Sequence, residues 1–430
     1  MDLTHSKGDK EEADILQFNQ DEELPLSQSM DPAEYKRRVR WLRFKMDLQI
    51  VPLCLLLYFL SFLDRTNIGQ AKLSGLQEDI LSNNSMYYTI ALVVLYPPYI
   101  VLEIPSNLVL KRVGPKYWIP FLVVCWGLVS TLQGIVKSRE GLYINRAFLG
   151  ATEAGILPGI AVYLTFFYQP RELQLRQALF FTGASLSGAF SGLLAAAIKK
   201  MDGMRGLAGW SWIFILEGVF TIVAGLCCIL LLPNSPNQCW GLSKLERRLA
   251  RERLESQSVR FVSRQKLSEK LQEAGLPHSD RTESVVSQKK ERLWLRDALR
   301  TFSDPLTLLL CVAGFCCALP VYSVSYFSPT IVKGLLDNAS ATHAMLMSCP
   351  PFAVAFVYGV LIAFISDYFR LRIITALPGM ILTVIGFAMV YASNQVCRDA
   401  YTVNDALRWN HRALSWGLLA SAGAFYLEYV

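Results

Sequence analysis

The sequence predicts an all-α membrane protein that crosses the bilayer many times. Of its 430 residues, 53% are hydrophobic and only 18% are charged, which is too apolar a composition for a soluble chain of this length. The apolar residues are collected in runs close to the ~20 residues that an α-helix needs to cross the hydrocarbon layer. Most charged residues stand between these runs, as they do in polytopic membrane proteins.

The amino-terminal segment has the composition of a disordered tail. Residues 1–35 are polar and acidic and contain no apolar stretch of the kind that a secretory signal requires. We therefore expect residues 1–45 to form a cytosolic tail without a packed core.

Ten apolar runs follow and are predicted to be transmembrane helices. They are Leu48–Gln70, Met86–Leu110, Trp118–Val136, Leu142–Phe167, Gln177–Ile198, Trp212–Leu232, Leu306–Val332, Ala344–Ile365, Ile373–Ala392 and a weaker Ala413–Val430. Six runs precede a polar gap and four follow it. This spacing predicts a six-helix bundle over residues 46–232, a basic cytosolic linker over 233–304 and a partial second bundle over 305–430. A surface helix is expected in the linker near Lys244–Leu254.

The distribution of lysine and arginine predicts the orientation of the chain. Cations concentrate before the first run, after the second and after the eighth, which places these ends and the amino terminus in the cytosol. Lys199, Lys200 and Arg205 oppose this pattern but are outnumbered. The formal net charge of +7 then reflects the excess of lysine and arginine at the cytosolic ends of the helices. It is not a sign of nucleic-acid binding. The plasma membrane is the expected location, and a monomer is the expected state.

Cysteine and histidine give no sign of a metal site or an active site. The ten cysteines fall mainly inside apolar runs without metal-ligand spacing, where a free thiol packs as a small apolar group. None of the four histidines lies in a firmly predicted span, and no nucleophile and base stand together. We expect no cofactor, no metal and no enzymatic activity.

The first run carries ionisable residues near its end. The apolar part, Leu48–Leu63, would be only ~24 Å long, so the helix should continue through Asp64, Arg65 and Asn67 within the membrane. Charges at that depth are costly and usually face the protein interior, where they mark an ion or substrate path. An alternative is that Asp64 and Arg65 end the helix at the interface, or pair with each other.

The fourth run contains a second set of charges. Arg146 and Glu153 are seven residues apart, hence on one face of a helix and ~10 Å apart in height, with Gly150 between them. A carboxylate near the middle of a span is expected to exchange a proton near neutral pH. Gly155 and Pro158 follow and predict a bend. The alternative is an ion pair of Arg146 with Glu153 that only holds the bundle together.

Further polar residues carry less information. Paired prolines interrupt the second run at Tyr96-Pro97-Pro98-Tyr99 and the eighth at Cys349-Pro350-Pro351. Interruptions at corresponding places in two halves point to a transporter binding site. Tyr96, Tyr99 and Tyr322 are therefore candidates for its walls, although packing is the commoner use of such rings. Glu217, five residues into the sixth run, is equally compatible with an interfacial, capping or functional role.

Six stretches together resemble a known family. They are Leu63–Ala71, Asn107–Lys116, Asn145–Gly155, Gly209–Gly218, Tyr326–Thr330 and Ser366–Asp367. In these six stretches the chain resembles the major facilitator superfamily. Within that superfamily it resembles the fungal allantoate and nicotinate permease branch of the anion:cation symporter family. The resemblance covers most of residues 45–395.

The resemblance implies proton-driven uptake of a small organic anion, such as nicotinate, allantoate or a related monocarboxylate, by alternating access. Asp64 and Glu153 would be the protonatable couple, Arg65 would meet the substrate carboxylate, and Arg146 would link anion and proton occupancy. Independently of the resemblance, Asn67, Tyr96, Tyr99 and Tyr322 are further candidates for the substrate site.

The sequence also departs from the family pattern. The family fold has twelve helices and the runs here number ten, so the expected fold is a six-helix bundle with an incomplete second bundle of about four helices. Residues from Asn394 onward no longer match, which suggests a truncated gene product. A non-transporting membrane nutrient sensor or an inactive truncated paralogue is the alternative function.

Overall fold

The structure is a computed structural model, and it describes residues 30–254, 304–335, 340–369 and 377–388. These residues are helical apart from short turns and connections, and no strand occurs among them. The predicted all-α class is confirmed.

Eight helices in the described residues are long and apolar enough to span a membrane. They are α1 (Pro32–Asp79), α2 (Ser85–Val113), α3 (Pro115–Gln133), α4 (Arg139–Thr165), α5 (Glu172–Met201), α6 (Gly209–Leu231), α7 (Pro305–Lys333) and α8 (Ala341–Phe369). A shorter apolar helix, α9, covers Leu377–Ala388. The first eight predicted runs are thus found as helices and the ninth is found in part. The tenth, Ala413–Val430, lies outside the described residues.

Helix α1 begins earlier than predicted. It starts at Pro32, so residues 32–45, expected to belong to a disordered tail, are helical. The Asp31 carboxylate accepts hydrogen bonds from the backbone N–H groups of Ala33 and Glu34 at 3.2 and 3.3 Å, which satisfies donors that a helix start leaves free. An ion pair between Glu34 and Arg38, one turn apart, adds to this first segment.

Three of the membrane helices are interrupted at the places that the sequence predicts. Helix α2 breaks at residues 94–95 and α8 breaks at Ser348, each just before a proline pair. Pro97-Pro98 and Pro350-Pro351 therefore occupy first turns of a new helical segment, where a missing backbone N–H costs nothing. Helix α4 breaks directly after Glu153, where Gly155 adopts the left-handed conformation with φ +88°. The predicted interruptions are confirmed in all three helices.

The membrane helices bury polar groups and expose apolar ones. Helix α6 buries Glu217 and Thr221 while Phe220 and Leu230 are exposed. This arrangement is the reverse of a soluble helix and suits a helix with lipid on its outer face.

The predicted surface helix of the linker is present at residues 244–254. It begins with a capping box in which the Ser243 and Glu246 side chains each accept the other residue's backbone N–H, at 3.2 and 2.8 Å. Lys45 donates to Glu246 at 2.9 Å. Burial opposes ionisation of Glu246, but the hydrogen bonds from Lys45 and Ser243 outweigh it and hold its pKa below the ordinary value. Residues 255–303 of the linker lie outside the described residues.

Candidate functional site

An ion pair inside the helical bundle joins α1 to α4. The Arg65 Nη2 atom lies 3.0 Å from Glu153 Oε1, and the two side chains are only 7% and 1% exposed. The Ser61 hydroxyl, one turn before Arg65 on α1, donates to the same carboxylate oxygen. Each charge thus has a partner away from water, which is the condition for keeping both ionised at this depth.

Tyrosine rings surround the Arg65 guanidinium. Its Nη1 group donates to the Tyr322 hydroxyl of α7 at 3.0 Å, and its carbon Cζ lies 5.3 Å from the centre of the Tyr99 ring. Tyr96 packs edge to face on Tyr322 with ring centres 6.3 Å apart. All three predicted tyrosines thus lie at or beside Arg65. Tyr326 joins them through a 2.7 Å hydrogen bond between its hydroxyl and that of Tyr96.

Asp64 faces α3 rather than Arg65. Trp126 Nε1 donates to Asp64 Oδ2 at 2.6 Å, and the Ser130 hydroxyl donates to Oδ1 at 2.7 Å. The suggested pairing of Asp64 with Arg65 is therefore wrong, and so is a helix end at this point, because α1 continues to Ala71 as regular helix. Consecutive residues differ by ~100° around a helix, so these two side chains reach different neighbours.

Arg146 is buried and makes no ion pair with a carboxylate in the described part of the chain. Its side chain is 2% exposed, its Cζ lies 5.7 Å from the centre of the Phe214 ring, and Nε and Nη2 have no hydrogen-bond partner among the described residues. The alternative of an Arg146–Glu153 ion pair is wrong. Two turns of helix separate the residues by ~10 Å, whereas Arg65 approaches Glu153 from α1 at the same level.

Asn67 lies away from the tyrosines. The Ser191 hydroxyl of α5 donates to Asn67 Oδ1 at 3.3 Å. A step of three residues turns a helix by ~300°, which leaves Asn67 ~60° from Asp64, and this offset is enough to direct it to another helix. The structure does not bring Asn67 together with Arg65 as predicted.

Glu217 is neither interfacial nor a cap. It is 6% exposed, two turns inside α6, and both carboxylate oxygens lack a hydrogen-bond partner among the described residues. Sequence reasoning also missed Ser61, Trp126 and Ser130 as partners of the charged groups. Trp126 and Ser130 are four residues apart and therefore lie on one face of α3. This spacing could have predicted a polar face on that helix.

The described residues contain no group of three or more histidine, cysteine, aspartate or glutamate side chains placed to hold a metal ion. The chemistry available at the site is that of ion pairing, hydrogen bonding and proton exchange. A helical bundle that buries such charges is typical of membrane transport proteins.

Comparison with known proteins places the chain within this class. The family model of the Major Facilitator Superfamily matches residues 54–425, and the chain belongs to this superfamily. The expectation that the match to the family ends at Asn394 is therefore wrong. The MFS-type transporter cnsO of Penicillium expansum is 33% identical over 400 residues, which are 91% of this chain and 71% of cnsO. The uncharacterized transporter C1002.16c of Schizosaccharomyces pombe is 32% identical over 351 residues, or 82% of this chain and 64% of that protein.

A putative tartrate transporter of Agrobacterium vitis is 37% identical over 203 residues, which are 47% of this chain and 45% of that protein. Several of the fungal relatives extend well beyond the match, since the chain covers 64% of C1002.16c and 62% of MFS transporter prlL.

Solved structures show the same fold at low identity. The D-xylose-proton symporter matches with a TM-score of 0.56 and 14% identity, over 88% of this chain and 80% of that one. A bacterial homologue of the human lysosomal transporter Spinster, in an inward-facing occupied conformation, matches with a TM-score of 0.56 and 16% identity, over 88% and 72% of the two chains.

Proposed function

We propose that this protein is a secondary active transporter in which a small organic anion moves together with protons by alternating access. We place it in the allantoate and nicotinate permease-like branch of the anion:cation symporters. The substrate class is a small monocarboxylate, and the protein acts in the plasma membrane with its amino terminus in the cytosol. The observation that carries the proposal is the buried Arg65–Glu153 ion pair among tyrosines.

Arg65 has the chemistry of a carboxylate receptor. Its guanidinium stays charged at any physiological pH and presents a planar fork of donors that fits a carboxylate. One of its nitrogens, Nε, has no hydrogen-bond partner among the described residues. Tyr99 and Tyr322 supply ring faces and a hydroxyl beside it. A small acid with an apolar or hydroxylated body fits these surroundings.

Glu153 supplies the coupling to protons. While it is ionised, it occupies Arg65 and competes with a substrate carboxylate for the same donors. A proton on Glu153 removes its charge and leaves Arg65 free to take the substrate anion in its place. Proton and anion binding then favour each other, as a symporter requires, because each removes an obstacle to the other.

A relative supports the wider class of organic acid anions. The Agrobacterium vitis protein is named as a putative tartrate transporter, and tartrate, a dicarboxylate, is an organic acid anion that an arginine can recognise through a carboxylate. The identity of the acid is best approached by competition among a panel that includes nicotinate, allantoate and tartrate.

Uptake of the labelled acids by cells that express the full chain tests the proposal. Uptake by the wild type should rise as the external pH falls. Glu153→Gln should abolish pH-driven accumulation, because a neutral amide cannot release a proton. The control Glu140→Gln, on the same helix but exposed and paired with Arg139, should behave as the wild type. Wild-type uptake that does not depend on pH would contradict the coupling of the anion to protons. Binding of an acid without its net transport would favour a membrane sensor.

A further inference from the structure

A third carboxyl group, Glu217, is buried in the helical bundle apart from the Arg65–Glu153 pair. It lies two turns inside α6, on the face that also buries Trp210, Phe214 and Thr221. Both of its oxygens are inaccessible and have no hydrogen-bond partner among the described residues. A bare carboxylate in such a position has neither water nor a donor to replace water.

Helix α3 brings a second polar group into the same part of the bundle. Helices α3 and α6 touch at backbone distance, since a Cβ on Gly127 would lie 2.9 Å from the Gly218 carbonyl oxygen. Gln133, also on α3, is fully buried and neither its amide oxygen nor its amide nitrogen has a partner among the described residues. It stands one turn after Ser130, which binds Asp64.

The ionisable groups on the neighbouring helices do not neutralise Glu217. Asp64, which binds α3 through Trp126 and Ser130, carries a charge of the same sign. Arg146 lies beside the Phe214 ring, one turn from Glu217, but makes no ion pair with it in the described residues. The elements packed on α6 also carry Lys72, Lys199 and Lys200. At the start of α6, Asp79 accepts a hydrogen bond from Trp210 and Asp202 accepts one from Gly209. Residues 177–198 of α5 and 117–133 of α3 contain no charged group.

We propose that Glu217 and Asp64 form a second proton-binding site, in which the two carboxyl groups together carry one proton and which is distinct from Glu153. Asp64 binds Trp126 and Ser130 of α3, and the next residues of α3, Gly127 and Thr131, touch Gly218 beside Glu217. Two like charges on the same stretch of α3 in a medium of low polarity repel, so one group ionises only while the other stays neutral. Asp64 has two hydrogen-bond donors that favour its ionised form, whereas Glu217 has none in the part of the chain that the structure describes, so the proton resides on Glu217. That this proton takes part in transport rests on the proposed function. That the proton binds to this site does not.

Infrared spectroscopy of the purified full chain tests the binding directly. A protonated, buried carboxyl group gives a C=O stretching band separate from that of ionised carboxylates. We expect such a band in the wild type at neutral pH, its loss in Glu217→Gln, and its retention in the exposed control Glu140→Gln. Glu217→Asp, which keeps a carboxyl group, should shift the band rather than remove it. A band that is the same in wild type and both Glu217 variants would overturn the proposal.

A transport measurement separates this inference from the proposed function. In proteoliposomes, Glu217→Gln should lower the number of protons moved per substrate anion by one and leave substrate exchange in place. If no proton-coupled anion flux exists but the Glu217 band does, the proposed function fails and the proton site stands. If proton coupling depends on Glu153, but Glu217→Gln keeps both the wild-type ratio of protons to anions and the carboxyl band, the second proton site is wrong. The proposed function would then stand. If the carboxyl band changes when Na⁺ is replaced with choline, the site binds a metal cation rather than a proton. That result would also overturn the proposal of a second proton site.

Discussion

Two carboxylates on neighbouring helices are stabilised by different means. Glu153 has a cation, Arg65, whereas Asp64 has only the neutral donors Trp126 and Ser130. Neutral donors satisfy the oxygens but do not cancel the charge. Removing either kind of partner leaves a buried charged acceptor in need of water, which costs more than the interaction itself contributed.

We expect Trp126→Phe to destabilise the protein by about 1–3 kcal/mol, because the indole N–H that satisfies Asp64 is lost while ring packing is largely kept. Thermal unfolding in detergent measures the change. The matched control is Trp118→Phe, since Trp118 donates to the neutral Ser106 hydroxyl at 3.1 Å in a partly exposed position, and it should cost less. Equal stability of Trp126→Phe and wild type would mean that Asp64 does not depend on this hydrogen bond.

At this scale the sequence predicted which residues lie inside but not which ones pair. The cost of charges in lipid was enough to place Asp64, Arg65, Arg146 and Glu153 in the bundle interior. The pairs depend on the height and rotation of one helix against another. The spacing within α4 suggested Arg146 as the partner of Glu153, whereas the actual partner comes from α1.

The breaks in α2 and α4 meet at a glycine. Gly150 lies one turn before the end of the first α4 segment, and a Cβ there would overlap the carbonyl oxygen of Leu95, which is part of the break in α2. Absence of a side chain at Gly150 thus lets the two helices touch beside Glu153. Proline pairs and glycines in the sequence predicted that the helices would break. That two of the breaks pack together depends on tertiary structure.

We expect Gly150→Ala to lower stability by about 1–3 kcal/mol and to reduce uptake strongly, because the added methyl group forces α2 and α4 apart at the ion pair. Gly159→Ala on the same helix is the control. A Cβ at Gly159 would lie 3.0 Å from the tip of the Leu110 side chain, which can move, so its effect should be smaller. Thermal unfolding and uptake are measured together, and equal effects of the two variants would contradict the argument.

Across the whole molecule, the described contacts between helices α1–α6 and helices α7–α8 gather toward the carboxyl end of α1. Arg65 reaches Tyr322, and a Cβ on Gly69 would lie 2.8 Å from the Tyr326 carbonyl oxygen. Gln70 Nε2 donates to the Ser348 hydroxyl at 3.4 Å. A further contact, of Gly192 on α5 with Met345, lies in the same layer. The two sets of helices are therefore closed on each other at this end.

Alternating access requires this closed end to open during each transport cycle. A reducible bifunctional methanethiosulfonate linking Gln70→Cys to Ser348→Cys should therefore stop uptake, because the two residues could no longer separate. Reduction of the link should restore uptake, and each single-cysteine variant, treated in the same way, should keep it. Mass spectrometry of the peptides verifies that the link has formed. Continued uptake by fully cross-linked protein would show that the α1–α8 contact stays in place during transport. Alternating access by opening of this end would then have to be abandoned.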